Sequence, residues 1–162
     1  MRYLARKKIG MIGLGNMGHA ILRGLISSGA AGPSAIRGYD CDDAKARSAK
    51  RELKVRLEDS VAGLARRSDV IIIAVKPQNI REVLGELSSE AKGKLIISIA
   101  AGIKTSVIEG ALGGRPRVIR VMPNTPALVG EGMSVVCKGK YAKRADVRPR
   151  MRYSAVSARH WR

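Results

Sequence analysis

The feature that most constrains this chain is the run Gly13-Leu14-Gly15-Asn16-Met17-Gly18, which directly follows an apolar stretch and opens a segment with helical spacing. Residues 8–13 read as a strand. Residues 17–28, with Ala20, Ile21, Leu25 and Ile26 recurring at helical intervals, read as an amphipathic helix closed at Gly29. In such a strand-to-helix turn, Gly13 permits the tight turn, Gly15 lets the backbone approach a pyrophosphate, and Gly18 allows helix and strand to pack closely. The start of the helix also presents unpaired N–H groups to an anion. A glycine-rich turn with no ligand is the plainer reading of the same residues, but the position between strand and helix favours dinucleotide binding.

The rest of the chain continues the alternation. Residues 35–40 predict a second strand, and Asp42 or Asp43 can cap a helix over 44–53. A short strand over 54–57 and a short helix over 60–67 follow. Residues 70–75 form a fully apolar strand, 79–91 a helix, 95–100 another apolar strand, 105–112 a helix and 117–122 a further strand, with 133–137 adding one more. Near-continuous apolar strands alternating with helices predict an α/β, Rossmann-type doubly wound and mostly parallel sheet, with helices on both faces. The 162 residues have the length of one ordinary domain. The aliphatic palette, with aromatics at 3% and no Phe, suits that architecture.

Composition excludes several alternatives. Cys41 and Cys137 sit in no CxxC pair and His19 and His160 lie far apart, so neither a zinc site nor a disulfide framework is expected. The basic N-terminus leads into an apolar run that Gly10, Gly13, Gly15 and Gly18 interrupt, which predicts neither a signal peptide nor a membrane span, and a cytoplasmic location. The net charge of +18 is concentrated partly at the end, where residues 138–162 hold nine Lys/Arg and one Asp. Such a tail attracts polyanions through phosphate contacts alone. It carries no recognised base-reading motif, so no specific nucleic-acid partner is expected. The pattern divides the chain into a dinucleotide-binding domain over residues 1–139 and a basic tail of undefined structure over 140–162.

Further candidate residues lie where strands end, since ligands of open α/β sheets bind outside the carboxyl ends of the strands. Asp40, 22 residues beyond Gly18, is placed either to accept hydrogen bonds from the adenosine ribose or to serve the Asp40-Cys41-Asp42-Asp43 turn. The first role favours NADH, whereas Arg37, Lys45 and Arg47 lie close enough in sequence to hold a 2′-phosphate. Ala74-Val75-Lys76-Pro77 leaves the fourth strand, with Lys76 either a cation near the cofactor or a solvated loop lysine. Ser98-Ile99-Ala100-Ala101-Gly102 and Met122-Pro123-Asn124-Thr125-Pro126-Ala127 leave the next two strands, and the three loops converge on one crevice.

Taken in this order and spacing, the blocks at residues 8–18, 74–77, 98–102 and 122–127 resemble pyrroline-5-carboxylate reductase over about residues 8–139. The last block is the most telling, because related hydroxyacid dehydrogenases share the first motif but not this one. The resemblance implies an oxidoreductase that passes hydride from NADPH or NADH to the C=N carbon of 1-pyrroline-5-carboxylate, forming L-proline. It further implies that residues 13–18 hold the pyrophosphate, that Ala74, Val75, Lys76 and Pro77 line the cofactor, that Ala101 and Gly102 back the nicotinamide, and that Asn124 sits near the reacting rings. Two residues depart from the family: Val61 stands where members often place an asparagine, and Asp40 sits where many members use NADPH. The family is homo-oligomeric and continues into a helical domain that forms the dimer and binds the substrate carboxylate. Here the pattern changes abruptly after Tyr141, and the expectation is a chain lacking that domain, weakly active or inactive, with a tail of the kind a shifted reading frame produces. A dinucleotide-binding module without catalysis is the alternative from a different class.

Overall fold

The computed structural model describes residues 6–123 and 134–147. Strand β1 (Ile9–Ile12) leads through the glycine-rich loop into helix α1 (Asn16–Ser27). Strand β2 (Ile36–Tyr39) follows, then helix α2 (Asp43–Leu53) and the two-residue strand β3 (Arg56–Leu57). Next come helix α3 (Val61–Arg66), strand β4 (Val70–Ile73), helix α4 (Ile80–Leu87), strand β5 (Leu95–Ser98) and helix α5 (Thr105–Leu112). Strands β6 (Arg117–Pro123) and β7 (Ser134–Lys138) complete the sheet.

The strand order is β3-β2-β1-β4-β5-β6-β7. All pairings are parallel except β6 with β7, which is antiparallel. The expected doubly wound sheet is thus present, and its order reverses between β1 and β4.

The apolar runs are explained by burial on both faces. On β4, Val70 and Ile72 pack into one layer with Leu22 and Leu25 of α1 and Ala46, Ala49 and Leu53 of α2. Ile71 and Ile73, on the opposite face, pack with Leu64 of α3, Val83, Leu84 and Leu87 of α4, and Ile108 and Leu112 of α5. A strand buried on both sides has no polar face to alternate with, so it reads as a continuous apolar run. All four residues of β1, β4 and β5 are buried.

Several boundaries differ from the sequence reading. The strand expected over 54–57 is shorter because Lys54 takes a left-handed conformation (φ 57°) that closes α2. The helix expected over 79–91 keeps α-geometry only through Ile80–Leu87, flanked by 3-10 turns at Pro77–Asn79 and Ser88–Glu90. The first part of the basic tail, for which the pattern predicts no element, forms a 3-10 turn at Arg144–Val147. Ala142 joins the core layer of α1 and α2, and Val147 packs against it. Asp146, 2% exposed, accepts a hydrogen bond from Arg117 Nη1 at 2.8 Å and another from the Lys143 N–H at 2.8 Å. The packing therefore runs past Gly139, through Val147.

Candidate functional site

The carboxyl ends of β1, β2, β4, β5 and β6 lie on one side of the sheet, as their shared parallel direction requires. The glycine-rich loop crosses this edge between β1 and β4, at the reversal of strand order where open α/β sheets bind ligands.

Gly13 has φ of 95°, a conformation that strains any residue with a side chain, and its N–H donates to the Tyr39 carbonyl at 2.8 Å. A Cβ at Gly13 would stand 2.6 Å from the Ala74 carbonyl oxygen, and one at Gly18 would stand 2.1 Å from the Gly13 carbonyl oxygen. Both obstacles are backbone, which cannot step aside as a side chain can. A Cβ at Gly15 would meet nothing within 4 Å. Two glycines therefore close the loop against β4 and α1, while the third faces open space.

Helix α1 begins there without a side-chain cap and without an acidic residue in its first turn. Its first N–H groups lack acceptors within the helix, and no acidic residue of its own first turn offsets the positive end of the helix dipole. Asn16 is exposed and Met17 half-buried, while Leu14 is buried (3% exposed) and anchors the loop. This arrangement suits a diphosphate: open backbone at Gly15 and donors at Asn16 and Met17 without acceptors in the helix.

Asp40 follows β2 directly. Its Oδ2 accepts the Leu14 N–H at 2.7 Å and its Oδ1 accepts the Asp42 N–H at 2.9 Å. The helix cap is Asp42, whose Oδ1 accepts the N–H of Ala44 at 2.9 Å and of Lys45 at 3.4 Å. The tie between Asp40 and the glycine-rich loop joins residues 26 positions apart, and no sequence signal pointed to it. Lys45 Nζ lies 2.9 Å from Asp42, and that hydrogen bond, before the two backbone N–H groups, holds the Asp42 carboxyl below the usual carboxylate range. Tyr39, half-buried under α4, has its phenol pushed up by burial and then by the negative charge of Glu86.

Ala74 and Val75 are half-buried at the end of β4, where the Ala74 N–H donates to the Ile12 carbonyl at 2.8 Å. Lys76 and Pro77 are exposed at the head of the 3-10 turn. At the end of β5, Ser98 is fully buried and its Oγ accepts the Ala100 N–H at 3.3 Å. Ala101 and Gly102 follow, exposed, with Gly102 at φ 74°. Asn124 and its loop, from residue 124, lie outside the described residues. Val61, the departure noted above, is fully buried in the layer beneath α3 to α5. Among the described residues there is no cluster able to hold a metal ion, and no helix long and apolar enough to cross a membrane.

The fold and this loop define an α/β domain of the Rossmann-type doubly wound class, with a glycine-rich loop at the switch point. The chain belongs to the family described as NADP oxidoreductase, coenzyme F420-dependent, whose model matches residues 8–102. It is similar to the pyrroline-5-carboxylate reductase of Methanosarcina acetivorans, 39% identical over 155 residues that cover 94% of this chain and 57% of that protein. It is likewise similar to the pyrroline-5-carboxylate reductase of Escherichia coli, 44% identical over 131 residues that cover 80% of this chain and 49% of that protein. The crystal structure of Plasmodium falciparum pyrroline carboxylate reductase with NADP bound superimposes with a TM-score of 0.79 at 31% identity, covering 89% of this chain and 52% of that one. The chain thus spans about half the length of the relatives it matches. The Methanosarcina match reaches well into the basic tail, which corrects the expectation that the resemblance stops near Gly139.

Proposed function

We propose that this chain is the dinucleotide-binding part of a pyrroline-5-carboxylate reductase that converts 1-pyrroline-5-carboxylate to L-proline with NADPH or NADH. The observation that carries the reading is the loop at the switch point, where Gly13 and Gly18 are sterically locked and Gly15 is left open beside the uncapped start of α1. The likeness to two reductases at 39% and 44% identity supports the same reading. When bound, the dihydronicotinamide supplies hydride to the imine carbon, and the ring nitrogen carries the proton of the iminium into the amine product.

In this reading the N–H groups at the start of α1 hold the diphosphate, and Ala74, Val75, Lys76 and Pro77 line the cofactor. Ala101 and Gly102 back the nicotinamide, because small residues at the end of β5 leave room for a flat ring. Asn124 stands near the reacting rings on the strength of the resemblance. A protonated cyclic imine is already electrophilic, so the protein's task is to align two rings, and no nucleophile or carboxylate pair is required. We place the protein in the cytoplasm, a reading supported by its two free, exposed cysteines, Cys41 and Cys137. A homo-oligomer is the assembly the resemblance implies, and light scattering reads it directly.

Calorimetric titration with NADH and NADPH, followed by an assay of pyrroline-5-carboxylate-dependent oxidation, tests the proposal. Binding with little or no turnover is the expected result for a chain that spans about half of its relatives. Binding with full turnover would overturn the expectation of a weakly active or inactive chain, and folded protein that binds neither nucleotide refutes the dinucleotide reading itself.

A further inference from the structure

We infer that Asp40 makes this chain selective for NADH over NADPH, by accepting the adenosine ribose hydroxyls and excluding a 2′-phosphate; the inference rests on the dinucleotide reading above. The Asp40 carboxylate is fixed against the glycine-rich loop by the Leu14 N–H, on the side where a bound pyrophosphate would lie, and is steadied from the other side by the Asp42 N–H. A carboxylate offers about four acceptor positions, so these two bonds leave capacity for hydroxyl donors. It has nothing to donate to a phosphate.

The surrounding charges point the same way. Each of the three cations that could have served a 2′-phosphate is engaged by a carboxylate. Arg37 pairs with Glu58, whose side chain is 8% exposed and which also binds Arg67 at 2.6 Å. Lys45 lies 2.9 Å from Asp42, and Arg47 lies 3.6 Å from Asp43. The latter two pairs are exposed, so a phosphate could compete for them only by displacing Asp42 and Asp43. A 2′-phosphate would in addition stand against the Asp40 carboxylate itself, which the loop holds in place. The family description names NADP, and this turn is built against it.

Calorimetry of the full chain with NADH, NADPH and their oxidised forms reads the inference without requiring turnover. NADH is expected to bind at least about tenfold more tightly than NADPH. Asp40→Asn keeps an oxygen for the Leu14 N–H while removing the charge, and is expected to narrow that ratio by about tenfold. Asp43→Lys, on a side chain 84% exposed and outside the loop contacts, is expected to strengthen NADPH binding selectively. If NADPH binds the wild-type chain as tightly as NADH, or if both variants leave the ratio unchanged, the inference is overturned while the dinucleotide reading stands. If neither nucleotide binds, both fall.

Discussion

At the scale of single residues, the three loop glycines have different consequences when given a methyl group. Gly18→Ala forces a Cβ to within 2.1 Å of a backbone oxygen, so either the loop or the start of α1 must shift. Overpacking of this kind typically costs about 1–3 kcal/mol. Denaturant titration should show that loss together with weakened nucleotide binding. Gly15→Ala meets nothing within 4 Å, so its melting temperature should match wild type while nucleotide affinity falls at least about tenfold. A Gly15→Ala variant that binds normally would mean that the open space does not hold the diphosphate. The glycine spacing was legible in the sequence because sterics at a turn are local. The partner of Asp40 was not, because the Leu14 N–H comes close only once β1 and β2 are paired.

At the scale of elements, the caps and edges decide how the helices and the last strands are held. Asp42 was one of two candidate caps for α2, and it alone accepts the first-turn N–H groups. Its carboxyl is shifted down in the folded chain, so the fold favours the ionised form. The resulting stabilisation is fully present above the ordinary carboxylate range, near pH 4, and is lost as pH falls through the lowered folded value. Melting temperature followed from pH 6 down to about pH 2 should therefore decline less steeply in Asp42→Asn than in wild type. At the other edge, Arg117 donates both to buried Asp146 at 2.8 Å and to the Gly93 carbonyl at 3.1 Å. Arg117→Ala should destabilise the chain by about 2 kcal/mol, since hydrogen bonds to charged groups are worth about 1.5–3 kcal/mol. The same change should raise the protease sensitivity of the segment around Arg144–Val147. No pattern announced that segment, because one buried acid and one buried alanine among arginines make no stripe or alternation.

At the scale of the whole molecule, one sheet carries two core layers, and its central strands connect them. Ile71 of β4 is fully buried between β1 and β5. Ile71→Ala should cost about 3 kcal/mol, within the usual range for truncating a buried isoleucine. A single unfolding transition by both circular dichroism and tryptic susceptibility would show that the two layers melt together. The sequence by itself determined the kinds of element, the two-sided burial of β1, β4 and β5, and the glycine-rich loop, because period, apolarity and turn sterics are written in adjacent residues. Only the tertiary structure decided that the strand order reverses between β1 and β4, that Asp40 fastens the glycine-rich loop, that the neighbouring cations are already paired, and that the tail docks through Asp146. Each of those outcomes joins residues far apart in the chain, and their energies exist only after the sheet has brought the groups within hydrogen-bonding reach.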